Sequence, residues 1–123
     1  MRYMLLIYTH PAVWGDLPKE QVDAMMAEYA HFTKGIAGTG ELISGEPLTG
    51  TETATTVRTR DGKTTLTDGP FAETKEHLAG YYLVDVKDLD RALELAAQIP
   101  DVTLGSVEVR PIMELGNPAD FAM

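Results

Sequence analysis

The chain has 123 residues, 44% of them hydrophobic and 24% charged, which fits one globular domain and leaves too little for a second core. It contains no cysteine, which excludes disulfides, zinc–thiolate sites and thiol nucleophiles. A formal net charge of −9 opposes binding to nucleic acid or to a membrane surface, so neither is an expected partner.

The first apolar run, Tyr3 to Tyr8, ends at Thr9-His10-Pro11. It is too short to cross a membrane, and no small-residue cleavage site follows, so a cytoplasmic location is the expectation. The run is apolar at nearly every position, as in a strand covered on both faces. A helix is expected next, with Asp16 as its cap, Pro18 in its first turn and Gly38 and Gly40 at its end. Val22, Met25, Met26, Tyr29, Phe32 and Ile36 recur at three- and four-residue spacing and form its apolar stripe.

Glu41 to Leu48 reads as a short strand. Thr55 to Arg60 and Lys63 to Thr67 flank Asp61-Gly62, a strong signal for a two-residue hairpin turn. That turn pairs Val57 with Leu66 and Thr55 with Asp68 on one face, and leaves Arg58, Arg60, Lys63 and Thr65 on a cationic face. Gly80 to Val86 is a further strand, apolar on both sides. A second helix is expected from an Asp88 cap through Leu89, Ala92, Leu93, Ala96 and Ile99 to a stop at Pro100. The last strand, Ser106 to Glu114, alternates, with Val107 and Val109 on one side and Glu108 and Arg110 on the other.

The order β-α-β-hairpin-β-α-β suggests an α+β, ferredoxin-like split βαβ sheet with an extra hairpin. Residues 1–115 form the domain and 116–123 a C-terminal tail. Two helices cover one face of such a sheet, yet the two central strands are apolar on both. A second subunit on the open face resolves this, giving a homodimer built as a dimeric α/β barrel, with cover by the hairpin and tail as the alternative.

Asp68 to Glu76 reads DGPFAETKE without interruption. This segment resembles the signature of the DGPF branch of the YCII-related family. Tyr3-Met4-Leu5-Leu6, Ala54 to Arg58, Gly80-Tyr81-Tyr82 and Glu108-Val109-Arg110-Pro111 extend the similarity to about Met113. The resemblance implies a dimeric α+β barrel. It also implies kinship with proteins that act on small ring compounds, among them chlorinated muconolactones. Some relatives pair a His on the first helix with an Asp after the second strand. Here Glu28 falls near the first position and Glu52 follows Leu48, so that pair is not carried over. The frequent neighbourhood of such genes to alternative sigma factors implies a regulatory association as a further possible partner.

Within the motif, Asp68 before Gly-Pro is either a turn former or a carboxylate at a strand end able to act as a general base. Phe71 is either an apolar anchor or a surface on which a ligand stacks. Glu73 and Lys75 share a face if extended, and with Glu76 they form either a solvated ion-pair network or a site where Lys75 holds an anion while a Glu moves a proton. Arg110, if a partner covers the sheet, must be paired inside by Glu73, Glu76, Glu108 or Asp68, or must hold a small carboxylate. Arg58, on the cationic face of the hairpin, joins Lys75, Arg110 and Phe71 as a ligand-binding candidate. His10, His31 and His77 lack metal-ligand spacing, and no cofactor or metal is expected. Two functions follow as expectations. One is a small-molecule-binding or regulatory domain whose ligand is a small organic acid. The other is a cofactor-independent isomerase, lyase or dehalogenase-like enzyme with Asp68, Glu73 or Glu76 as acid/base.

Overall fold

The computed structural model of the protein describes residues 1–10, 12–71 and 74–116. Its elements are β1 (Arg2–Thr9), α1 (Val13–Asp16), α2 (Lys19–Gly38), β2 (Leu42–Pro47), β3 (Thr55–Arg60), β4 (Lys63–Asp68), β5 (His77–Asp85), α3 (Leu89–Gln98) and β6 (Ser106–Pro111). Short 3-10 turns at Thr51–Thr53 and Pro100–Thr103 complete the order.

Four strands form one antiparallel sheet in the order β2-β5-β1-β6, and β3 and β4 form a separate two-stranded ribbon. The architecture is α+β, and the strand order is compatible with a ferredoxin-like fold, with β1 and β5 central as their apolar sequences require. Burial alternates along both strands. Tyr3, Leu5, Ile7 and Thr9 on β1, with Tyr82 and Val84 on β5, turn toward the helices. Phe32 and Ile36 of α2 and Ala92, Leu95 and Ala96 of α3 pack onto them, with Ile99 closing the layer. The other face of the sheet carries Met4, Leu6, Tyr8, Tyr81 and Leu83, all half-buried. Across it Met4 pairs with Leu83 and Arg110, and Leu6 with Tyr81 and Glu108.

The hairpin register is as the Asp61-Gly62 turn requires: Val57 faces Leu66 and Thr55 faces Asp68. Asp61 and Gly62 both take positive φ, 54° and 75°, as a type I′ turn demands. Asp88 caps α3 by accepting from the Arg91 amide at 2.9 Å.

Other expectations change. Asp16 ends the short helix α1 and does not cap the long one. The chain turns extended at Leu17, and Pro18, with φ already fixed near the helical value, takes the cap position of α2 without a side-chain cap bond. Met26 lies beside the apolar stripe, and Leu93 is exposed while Leu95 is fully buried. Both lie at the margin of the apolar stripe, where the 3.6-residue period turns the side chain away from the sheet. β5 begins three residues earlier than Gly80, and β6 ends at Pro111.

Candidate functional site

A cavity of about 600 Å³ lies where α2 meets the ends of β1, β2 and β5. Its walls come from five places: Ile7 and Thr9 at the end of β1, Trp14 on α1, Met26, Tyr29 and Thr33 on α2, Gly45 to Glu52 along and after β2, and His77 to Tyr82 on β5. Asp101, from the 3-10 turn after α3, lines it as well.

Local geometry explains how the space stays open. Gly45 and Gly80 sit on adjacent strands. A Cβ at Gly45 would lie 2.7 Å from Cδ1 of Tyr82, and one at Gly80 would lie 2.9 Å from the Glu46 carbonyl oxygen. Without side chains there, β2 lies flat against β5 and the Tyr82 ring reaches back under α2. It meets Phe32 edge-on at 5.2 Å between centroids, and its hydroxyl shares a 2.6 Å hydrogen bond with Thr33. Burial pushes the Tyr82 phenol above its ordinary range, an effect the Thr33 bond partly offsets.

Asp101 is the polar end of the cavity. It is 2% exposed. Its Oδ2 accepts from the Trp14 indole N–H at 3.2 Å. Its Oδ1 is the one buried side-chain oxygen or nitrogen among the described residues that lacks a hydrogen-bond partner. Burial raises its pKa above the ordinary carboxyl range, while Trp14 and Tyr29 pull it back down. Tyr29 stacks against Trp14 at a tilt, with centroids 6.4 Å apart. Its phenol is pushed strongly upward, first by burial and then by the negative charge of Asp101. A carboxylate, an indole N–H and a phenol therefore converge in a largely apolar space. Such a set can accept a hydrogen bond from a guest or neutralise a positive charge on it.

No described lysine or arginine lines this space; its titratable groups besides Asp101 and the tyrosines are Glu46, Glu52 and His77. Among the described residues no group of three His, Cys, Asp or Glu side chains is arranged to hold a metal ion.

The residues singled out in the sequence lie elsewhere. Asp68 ends β4 on the exposed ribbon, and Gly69 makes the following turn at φ 99°. Phe71 is 77% exposed, so within one chain it is not an anchor; its carbonyl accepts from Arg58 at 3.2 Å. Lys75 is exposed. Glu76 is half-buried and accepts from the Ser106 hydroxyl at 2.8 Å, which ties the segment before β5 to the start of β6. Arg110 pairs with Glu108 at 2.9 Å on the open face of the sheet and is 69% exposed at its side chain. Glu73 lies outside the described residues. Arg58 and Phe71 are thus brought together, whereas Arg110 stands with Glu108 and apart from the motif. Of the two positions named by the resemblance, Glu52 lines the cavity, and Glu28 lines a separate open depression with His31 of α2 and Gln98 of α3.

Asp101, Tyr29, Trp14 and His77 were not legible as a set. Ile-Pro-Asp at the end of an amphipathic helix reads as an exposed turn, and Tyr29 reads as core. The single tryptophan, placed just before a long helix, was the one local signal that something large is covered there.

The model of the YCII-related domain matches residues 1–116. An uncharacterized protein of Rhizobium meliloti (strain 1021) is 37% identical over 114 residues, covering 91% of this chain and 92% of that protein. The chain belongs to the YCII-related family.

Proposed function

We propose that this YCII-related domain binds a small organic molecule in the cavity between α2 and the ends of β1, β2 and β5. The observation that carries the reading is the cavity itself. Its size is in the range of small-ligand sites, its walls are mainly apolar, and one buried carboxyl at its end is not fully hydrogen-bonded. A small organic acid, expected from Lys75 and Arg110, is the less favoured guest here, because neither cation lines the space. An enzymatic role with a carboxylate acid/base is a second reading. It rests on Asp101 close to Tyr29, since Asp68 and Glu76 do not line the cavity.

The same domain is proposed to act as a homodimer. Met4, Leu6, Tyr81 and Leu83 form a contiguous apolar patch on the open face of the sheet, and the ribbon exposes Val57 and Leu66 on one side. A second copy covering both would complete a dimeric barrel.

A thermal-shift screen of small aromatic and aliphatic compounds tests the binding role. A ligand at a hundred times its dissociation constant stabilises by about 2.7 kcal/mol. The hit should be lost in Met26→Trp, which fills the cavity from a partly exposed wall position without removing a hydrogen bond. A hit kept by that variant would put the ligand somewhere else.

A further inference from the structure

We infer that the cavity is selective for a small apolar molecule carrying a protonated amine, with the Asp101 carboxylate as its counter-ion. This rests on the cavity being a ligand site and goes beyond it by fixing the charge of the guest and the residue that reads it.

Three independent features point the same way. First, Asp101 is 2% exposed and lines the cavity; Trp14 bonds its Oδ2 and the Tyr29 phenol stands close by, yet its Oδ1 has no partner within hydrogen-bond distance among the described residues. A buried carboxylate with a free lone pair is costly, and an ammonium group supplies both the missing donors and the missing charge. Second, the charged side chains around the cavity are of one sign. Glu46 and Glu52 join Asp101, no described Lys or Arg lines it, and His77 is the one group there able to become cationic. An apolar cavity lined by negative groups concentrates cations and rejects anions, and the chain's net charge of −9 adds to that field. Third, Trp14 and Tyr29 stand beside the carboxyl. Aromatic faces next to a carboxylate attract organic cations as well as apolar surface.

The groups packed against Asp101 explain why one guest donor is enough. Trp14 approaches from α1 and Tyr29 from α2, and neither can give up a proton in the ordinary pH range. The backbone carbonyl of Asp101 is already used by the Leu104 and Gly105 amides at 3.0 and 2.8 Å, which hold the turn and aim the side chain.

The test uses three compounds with one shape and three charges: 2-phenylethylamine, 2-phenylethanol and phenylacetate. Each is titrated calorimetrically into the full chain and into Asp101→Asn. The amine is expected to bind best and phenylacetate worst. In the variant the amine should weaken by about ten- to hundredfold, the cost of a lost charge-assisted hydrogen bond, while the alcohol changes little. Equal binding of amine and alcohol, unaffected by Asp101→Asn, would overturn the inference and leave the cavity as a neutral ligand site. Phenylacetate binding tightest would overturn it too. Binding of none of the three, with Met26→Trp also failing to remove any hit from the screen above, would remove the ligand site itself.

A carbon-13 measurement on the wild type covers the case in which Asp101→Asn does not fold. The Asp101 carboxyl resonance should move on adding the amine and stay in place with the alcohol. No movement with saturating amine would count against the counter-ion role.

Discussion

Trp14 and Asp101 are 87 positions apart in the sequence, and the indole N–H of one donates to Oδ2 of the other at 3.2 Å. This contact joins the short helix α1 to the turn after α3 and closes one end of the cavity. Replacing Trp14 by Phe keeps most of the apolar surface but removes the donor, leaving Oδ2 without its partner, as Oδ1 already is. A loss of about 1–3 kcal/mol is expected, read from urea unfolding, and the carboxyl should become harder to ionise. Unchanged stability and an unchanged Asp101 titration would mean that the bond contributes nothing.

Asp101 also makes a prediction about pH. Its folded-state pKa lies above the ordinary carboxyl value because burial disfavours the charge. The unfolded chain therefore loses this proton first as pH rises, and stability contributed by the neutral form is lost between the unfolded and folded values. Asp101→Asn removes that loss. Measured against wild type, the variant should gain stability on going from acid, below the ordinary carboxyl pKa, to neutral pH. A constant difference across the range would contradict a raised value.

The opposite sign applies at the other end of β2. Arg91 grips Glu41 with two bonds of 2.9 Å and reaches Glu94 at 3.0 Å, tying α3 to the residue before β2. The side-chain bond from Arg91 holds Glu41 below the usual carboxylate range. Its contribution is present above the unfolded carboxyl pKa and is lost as pH falls through the depressed folded value. Glu41→Gln should lower the thermal midpoint by a few degrees at neutral pH and have little effect at strongly acid pH. Equal effects at both would show that the pair is not electrostatic in origin.

Gly45→Ala tests the packing that shapes the cavity. The added methyl would start 2.7 Å from the Tyr82 ring and 3.0 Å from the Tyr81 carbonyl oxygen, so the ring or the strand must shift. A destabilisation of about 1–3 kcal/mol is expected, together with weaker ligand binding. A variant as stable as wild type, with unchanged ligand affinity, would show that Tyr82 is free to move aside.

Sedimentation equilibrium tests the dimer. Leu66 is 70% exposed and faces Val57 across the ribbon, and neither contributes to the core of one chain. Val57→Ser with Leu66→Ser should weaken self-association while circular dichroism stays unchanged. A wild-type chain that is monomeric at high concentration would contradict the barrel.

The elements were legible because they rest on local chemistry. Asp61-Gly62 dictates a hairpin, Asp88 caps a helix, and two uniformly apolar strands belong at the centre of a sheet. The cavity was not legible, because no segment contains it. Asp101 follows a proline at the end of a helix, where sequence alone suggests exposure, and the packing of that turn against β1, β6 and α2, with Trp14 bonded to the side chain, buries it. The nine-residue motif drew attention by its pattern, yet none of its described residues lines the cavity: Asp68 ends the ribbon, and Glu76 stands just before β5, bonded to Ser106.

The chain holds one tryptophan, so its indole N–H gives a single proton–nitrogen resonance at the Asp101 end of the cavity. Following that resonance while titrating a compound that stabilises the protein is the most direct test of the ligand site. Occupancy of the cavity should move it in step with the binding curve. A compound that binds while the Trp14 indole signal stays fixed would contradict the site.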